Sequence, residues 1–567
     1  MLLRLKVVYW NLFLLLLAVK SHALPPENCT DLPLSEWAMS ENSYRIPKAS
    51  YSSLSVTHAE KGYLPTQPGH YKCLLHQLWS DKSLKNKQFS LTFTATGMSF
   101  GTQALPTEES LGRERILIDT RNLKYFELVQ RGDPVVVTVG AGMTWQEIHE
   151  ATYAATKQKT IPFDTPSADQ ITIGGALSSN TFSRTSDING DYVSGHVRSF
   201  TILIPGSESE DIRIECSKDA LEGTFAKDCF YAIPGAMGAA ALIETVTIEL
   251  QPYDERDVVH TEVLDVTRSV KTFVERHLDR VVQNRTEKEF DQGLYSLVIG
   301  NMGRPYGVTI GSKTGRIKKL KQFCGNPYRR GCKKIPVYKD ERFNDTWGMP
   351  LYDGNNWMKG WLIYLGHMLT WTGIPDYIIS MFFFEGALYT NPLYDYTFYH
   401  NGYWTAHGGD ATQPFSTAHQ AWVVPNDKLE EFMVMAGSLL DEPDYLYYVY
   451  PYILLQDVTP VPKSKMLMSP ITQDDLQIYQ ITVAAKSSDT KRSDMAKAYF
   501  RELSKQAHEL GVKVHILKEA YVSDEILREQ YRANIENFIK VRRQLDPERM
   551  ILSEQWQVLD PVSPESQ

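Results

Sequence analysis

Residues 97 to 101 read Gly97-Met98-Ser99-Phe100-Gly101, a serine between glycines directly after the apolar run Leu91 to Ala95. A serine held on a sharp strand-to-helix turn is the arrangement of a hydrolase nucleophile. The helix that must support such an elbow is absent from the pattern. Thr102 to Arg113 contain Pro106, paired glutamates and a glycine, a loop composition.

A second candidate starts at Val135 to Val139, followed by Gly140-Ala141-Gly142, a helical pattern through Ala155 and an apolar run ending at Asp164. This order mimics a dinucleotide-binding βαβ unit with its acidic residue about 20 positions on. Trp145 stands where the third glycine belongs. An indole there holds the helix off the strand and blocks the close approach of phosphates that the glycines exist to permit. The third candidate is Thr172-Ile173-Gly174-Gly175-Ala176-Leu177-Ser178-Ser179-Asn180, a short strand pattern leading into small and hydroxylated residues. Successive exposed N–H groups in such a run can cradle an anion, and a tight turn between packed strands is the equal alternative.

The elements around these motifs are mixed. From Phe89 to Tyr253 short β-branched runs alternate with glycine and proline, interrupted by the helical pattern Trp145 to Ala155. Charged helical stretches at 267 to 291 and 427 to 440 flank an aromatic-rich region, and Val512 to Lys518 reads as a strand. A helix is predicted from Asp524 to about Leu545, capped at Ser523 or Asp524 and stopped by Asp546-Pro547.

The chain has 567 residues, with 59 Lys plus Arg against 68 Asp plus Glu and a formal charge of -9. That length implies more than one packed unit, and the charge with no basic block disfavours nucleic acid. The N-terminus places Arg4 and Lys6 before an apolar stretch that ends at Ser21-His22-Ala23, the pattern of a secretory signal peptide. The uncharged part, about 13 residues, is shorter than the roughly 20 of a spanning helix; an uncleaved anchor is the alternative. Trp361 to Tyr389 is apolar but punctuated by Gly366, Gly373, Pro375, Asp376 and Glu385, which suits a buried wall or apolar channel. Six cysteines without a Cys-x-x-Cys pair disfavour zinc and suit disulfides in an exported chain, Cys324 with Cys332 first and Cys216 with Cys229 next.

Taken in order, these segments resemble the FAD-binding (PCMH-type) domain of the vanillyl-alcohol oxidase family. Phe93 to Gly101 looks like its pyrophosphate loop, Ile118-Asp119 and Val137 to Trp145 like its next strands, and Ile171 to Asn180 like its second glycine loop. Asp191 to Leu203 resembles the segment passing the flavin, and Pro234 to Ile248 the closing strand by the adenine. Val514 to Glu519 and Val541 to Pro547 look like the C-terminal return of the sugar-lactone and decaprenylphosphoryl-ribose oxidase branches. Between them the likeness reduces to His419 to Pro425.

The resemblance implies an α+β chain: a two-subdomain FAD-binding domain, a cap domain on an antiparallel sheet, and a C-terminus returning to the flavin. The expected boundaries are 1–23 signal peptide, 24–85 extension, 86–253 FAD-binding domain, 254–510 substrate domain and 511–567 return. The implied FAD ligands are Thr96, Gly97, Met98, Ser99, Phe100, Gly101, Thr172, Gly174, Gly175, Ser178, Ser179, Ser194, Gly195, His196 and Ile243. Met98 stands where many members carry the histidine that bonds the flavin, so noncovalent FAD is expected.

Lys518 is the candidate to stabilise the reduced ring, at the end of an alternation that puts Val512, Val514, Ile516 and Lys518 on one strand face. Tyr399, His400, Tyr403, Trp404 and His407 would suit a sugar pocket, and aromatic abundance would equally suit a lipid-linked or phenolic substrate. The expected function is a secreted, periplasmic or secretory-pathway FAD oxidoreductase acting on an alcohol carbon of a sugar, lactone or polyol. It would take a small-molecule substrate and an undefined electron acceptor, have no metal and no span after signal removal, and be free to touch a membrane peripherally. A secreted binding protein on a flavin scaffold and a Ser99 hydrolase are the alternatives.

Overall fold

A computed structural model describes residues 34–40, 59–80, 89–96, 106, 113–164, 170–204, 213–254, 256–267, 269–299, 306–316, 391–393, 397, 416–450, 453–485 and 490–561. Gly97 to Gly101, the cluster from Tyr399 to His407, Cys324, Cys332 and the stretch Trp361 to Tyr389 lie outside the described residues.

Three sheets organise the chain. The smallest joins Lys61–Tyr63 (β1), Phe89–Thr94 (β2) and Glu114–Asp119 (β3) in the order β1-β3-β2, all parallel. Helix α1, Pro68–Ser80, lies between β1 and β2 in sequence and ties to this sheet through its Tyr71, whose hydroxyl donates to the Asp119 carbonyl at 2.6 Å.

The second sheet runs Phe126–Gln130 (β4), Val135–Gly140 (β5), Leu242–Tyr253 (β9), Val197–Leu203 (β7) and Arg213–Ser217 (β8), with Lys159–Ile161 (β6) paired to the end of β9. Its pairings are antiparallel. Helix α2, Trp145–Thr156, is set by a capping box in which Thr144 and Glu147 satisfy each other's backbone N–H groups. The dinucleotide reading fails on topology as well as on Trp145. After α2 the chain pairs β6 antiparallel to β9 and not parallel to β5, so the βαβ unit that reading needs does not exist. Cys216 of β8 forms a disulfide with Cys229 of the helix Phe225–Ala232, and Cys73 is also disulfide-bonded.

The third sheet has eight strands: Asp257–Thr267 (β10), Leu294–Ile299 (β11), Tyr306–Arg316 (β12), Asn391–Pro392 (β13), Ser416–Pro425 (β14), Ile453–Val461 (β15), Leu476–Ala485 (β16) and Lys513–Val514 (β17). The order is β13-β10-β12-β11-β15-β16-β14-β17, antiparallel throughout. Helices α3 (Ile173–Ser178), α4 (Val270–Glu287), α5 (Leu429–Leu440), α6 (Thr490–Glu509), α7 (Asp524–Leu545) and α8 (Glu554–Leu559) complete the elements used below. The α7 start is the expected one, with the Ser523 hydroxyl accepting from the Ile526 N–H.

Two expectations need correction. The strand over Val512 to Lys518 stops at Val514, because Lys518 N–H turns back to the His515 carbonyl at 3.1 Å. Lys518 therefore is not placed by strand alternation. The run from Thr172 is a capped helix, α3, where a strand and loop were expected.

The C-terminus closes the smallest sheet. Leu91 N–H donates to Met550 O at 2.7 Å and Leu552 N–H to Leu91 O at 2.9 Å, covering the free edge of β2. Trp556 then donates its indole N–H to Ala236 O at 2.8 Å, fully buried. One apolar cluster runs through Leu91, Val137, Ile248, Trp422, Ile481, Phe538 and Trp556, so all three sheets share a core. Among the described residues no helix is long and apolar enough to cross a membrane.

Candidate active site

The second glycine loop divides its two glycines between different tasks. A Cβ on Gly174 would meet the Cβ and carbonyl of Ala141 at 2.8 and 2.9 Å, so Gly174 lets α3 pack on the turn after β5. Gly175 is exposed, and a Cβ there would touch only the Thr172 hydroxyl at 3.1 Å. Thr172 caps the helix by accepting from the Gly175 N–H. Ser178 gives its carbonyl to Met237 N–H at 2.9 Å, and Ser179 N–H donates to Gly175 O at 3.1 Å. Of the two glycines, Gly175 is the one whose backbone side is open.

Beyond α3 the chain brings the third segment alongside. The Asn180 side-chain oxygen accepts from Ser194 N–H at 3.2 Å, and the Ser194 hydroxyl is buried with no hydrogen-bond partner. Gly195 is required by Asp191, whose carboxyl lies 2.1 Å from where a Cβ would sit. His196 stacks on Phe163 at 4.5 Å, with Nε2 3.8 Å from the buried Asp164 carboxyl. Burial pushes Asp164 up to about 7 against the hydroxyls of Ser183 and Thr185 that favour its anion, and burial pushes His196 down. Ile243 is a core residue of β9 paired with Ile202. Thr96 is exposed just past β2.

Pairing register puts a polar row on one face of the eight-stranded sheet. Leu297 pairs with Asp457, Asp457 with Gln480, and Gln480 with Ala421, while Thr482 pairs with His419. Directly paired residues and those two apart share a face, so Tyr295, Asp457, Thr459, Gln480, Thr482 and His419 lie together. The opposite face, with Trp422, Tyr479 and Gln420, packs on α5 and α6 through Phe432, Phe500 and Ser504. The polar face therefore looks toward the segment after α3. Tyr192 donates its hydroxyl to Pro462 O at 2.5 Å, Arg285 of α4 binds Asp187 at 2.8 Å, and Phe182 packs on Ala421, Val423 and Ile478.

Asp457 is the charged centre of that row. Gln480 donates to Oδ2 at 2.6 Å and Thr459 at 3.3 Å, whereas the buried Oδ1 has no hydrogen-bond partner. Burial raises its pKa to about 6, opposed by these hydrogen bonds and by the charges of Arg184 and Lys518. Leaving a buried acceptor unsatisfied costs about 1–3 kcal/mol, so this face is built for a polar ligand.

Lys518 reaches the same place from the turn after β17. Its ammonium lies 5.9 Å over the Phe182 ring, and burial lowers its pKa to about 8 against the pull of Asp457. Two neutral histidines flank it. Burial, then Lys518, holds His515 down at about 3 and His419 well below its ordinary value. The turn itself is clamped by Glu519, whose carboxylate accepts from His419 N–H at 2.6 Å and Tyr521 O–H at 2.7 Å. Asp457, Gln480, His419 and Arg184 had not been singled out as site residues. The signal for the first two was there: Asp457 and Thr459, like Gln480 and Thr482, are polar at alternate positions of largely apolar strands, although Gln456 and Gln477 add polar residues on the other face.

The residues fit FAD: Gly175 leaves its backbone side open, the buried Ser194 hydroxyl has no hydrogen-bond partner, and Lys518 brings a buried ammonium to the polar sheet face. A family model described as FAD binding domain matches residues 82–211, and one described as D-arabinono-1,4-lactone oxidase matches residues 412–559. No curated protein matches the chain. The first match contains α3, Ser194 and His196, the second contains Asp457 and Lys518, and together they mark the chain as an FAD-dependent oxidoreductase with a PCMH-type FAD-binding domain, related to the sugar-lactone oxidases.

Proposed function

We propose that this oxidoreductase oxidises an alcohol carbon of a sugar lactone or related polyol, using FAD held without a covalent bond. The observation that carries this reading is the polar face of the eight-stranded sheet, where a carboxylate with a free acceptor oxygen and a buried ammonium meet. When bound, FAD supplies the hydride acceptor. The chain's own residues do the rest. Asp457 Oδ1 accepts the hydroxyl hydrogen of the substrate and holds its proton, which a carboxyl near 6 can do at neutral pH. Gln480 and Thr459 fix the carboxylate orientation. Lys518 would bring a buried positive charge to the bound cofactor, and the burial of Asp457 and Lys518 keeps water from both.

Thr96 to Gly101, Thr172, Gly174, Gly175, Ser178, Ser179, Ser194, Gly195, His196 and Ile243 are the proposed cofactor contacts. Among them Gly175 offers the sharpest test, since a side chain there would enter the space its backbone leaves open. Gly175→Val should give folded protein with less than about a tenth of the wild-type flavin, read from the ratio of flavin to protein absorbance. Full occupancy in that variant would take the loop out of the site. Met98 motivates a second expectation: acid precipitation should release essentially all flavin as FAD into the supernatant. Flavin kept in the pellet would identify a covalent link to another residue.

The proposed domain division is the one given above, and the proposed location is the secretory pathway, periplasm or extracellular space after removal of residues 1–23. The Cys216–Cys229 disulfide supports an oxidising compartment.

A further inference from the structure

Arg184 lies six residues past the end of α3 at Ser178 and over the ring of Tyr295, with Cζ 3.3 Å from the ring centroid. Tyr295 shares its sheet face with Asp457, because Leu297 is the direct partner of Asp457 and Tyr295 is two residues before it. Arg184 and Asp457 thus lie over the same polar face of the sheet. Each presents a buried atom without a hydrogen-bond partner, Nη1 on the arginine and Oδ1 on the aspartate. A guanidinium can only donate and a carboxylate can only accept. Arg184 acts electrostatically on Asp457 without bonding its Oδ1, and a ligand that bonded both atoms would offer an acceptor oxygen to the arginine and a hydroxyl donor to the aspartate.

We propose that Arg184 is a specificity-determining residue that donates from Nη1 to the carbonyl oxygen of a sugar lactone while Asp457 Oδ1 accepts the adjacent hydroxyl. This rests on the alcohol-oxidising reading above and adds to it the residue that would tell a lactone from a polyol. A polyol offers the hydroxyl but not the carbonyl acceptor, and Tyr295 holds the guanidinium plane so that Nη1 meets the carbonyl in one orientation.

The test compares wild type, Arg184→Met and Arg184→Lys, purified with their flavin. Each is mixed anaerobically with a panel of 1,4-lactones, including D-arabinono-1,4-lactone, and with the matching 1,4-anhydroalditols, which keep ring and hydroxyls but lack the carbonyl. The flavin absorbance gives an apparent Kd and a limiting rate of reduction for each pair. Wild type should favour lactone over anhydroalditol by about 30-fold, the range for one hydrogen bond to a charged donor. Arg184→Met should lose that preference by raising the lactone Kd alone, Arg184→Lys should recover part of it, and FAD content should not change.

A preference that survives in Arg184→Met overturns the assignment. So does a loss of FAD that parallels the loss of lactone binding, since Arg184 would then be a cofactor contact. Reduction of the wild-type flavin by anhydroalditols but by no lactone would overturn the assignment and leave the alcohol-oxidising reading standing. Reduction by neither class would remove both.

Discussion

Lys518→Met should yield folded, flavin-loaded protein whose flavin is reduced by substrate at least about a hundredfold more slowly, with a lowered reduction potential. Methionine keeps most of the length and apolar packing of the side chain and removes the ammonium that lies over Phe182. An ammonium beside an anionic ring at partial burial is worth about 2–4 kcal/mol at an effective dielectric near 20. At about 1.4 kcal/mol per decade, that is a hundredfold or more. Stability should not explain the loss. A lysine whose folded pKa lies below its unfolded value binds its proton less tightly in the native state, so its charge at neutral pH weakens the fold. The variant should therefore melt no lower than wild type. Ser99→Ala is the control, since a residue lending at most one hydrogen bond to the cofactor should leave turnover within about tenfold. A dead Ser99→Ala beside an active Lys518→Met would favour the nucleophile-elbow chemistry.

Asp457→Asn should have the second large effect, lowering the limiting rate of flavin reduction by about 10²- to 10⁴-fold, the range of a general base. Asparagine keeps the shape and can still bond Gln480, but its side chain takes no proton at neutral pH. The pH dependence should separate this from damage. Substrate reduction in wild type should rise through about 6 as Asp457 deprotonates and fall through about 8 as Lys518 loses its proton. The two limbs belong to the coupled pair, each group raising the fraction of the other in its charged form. In Asp457→Asn the acidic limb should vanish, and the basic limb should move down because Lys518 has lost its anionic neighbour. A wild-type profile flat between pH 5 and 9, an interval about the two groups' ordinary span, would show that neither proton matters.

How far the sequence could be read depends on the range of the interactions involved. The capping box at Thr144 and Glu147 and the Ser523 cap are local, and the helices they start lie where the pattern put them. Lys518 was found through a strand pattern that the chain abandons at Val514. Its place is fixed instead by Glu519, which reaches across to the His419 backbone one hundred residues earlier. A helix at 173–178 is disfavoured locally by its two glycines, each costing about 1 kcal/mol relative to alanine. Packing of Gly174 on Ala141 and the Thr172 cap outweigh that penalty. The row through Tyr295, Asp457, Gln480 and His419 joins strands far apart in sequence, and one residue of slippage would send Asp457 to the helix-covered face. Alternation marked these residues as one-sided, but only the register decides which side holds the chemistry.

The central claim is that FAD bound by the N-terminal module takes electrons from a sugar lactone or polyol held against the eight-stranded sheet. Anaerobic mixing of purified protein with a panel of such compounds, followed at the flavin band at about 450 nm, tests it most directly. The account predicts a yellow protein whose band bleaches with at least one lactone or polyol and returns when an electron acceptor is added. A protein that carries no flavin even when supplied with FAD, or whose band no such compound bleaches, would contradict it.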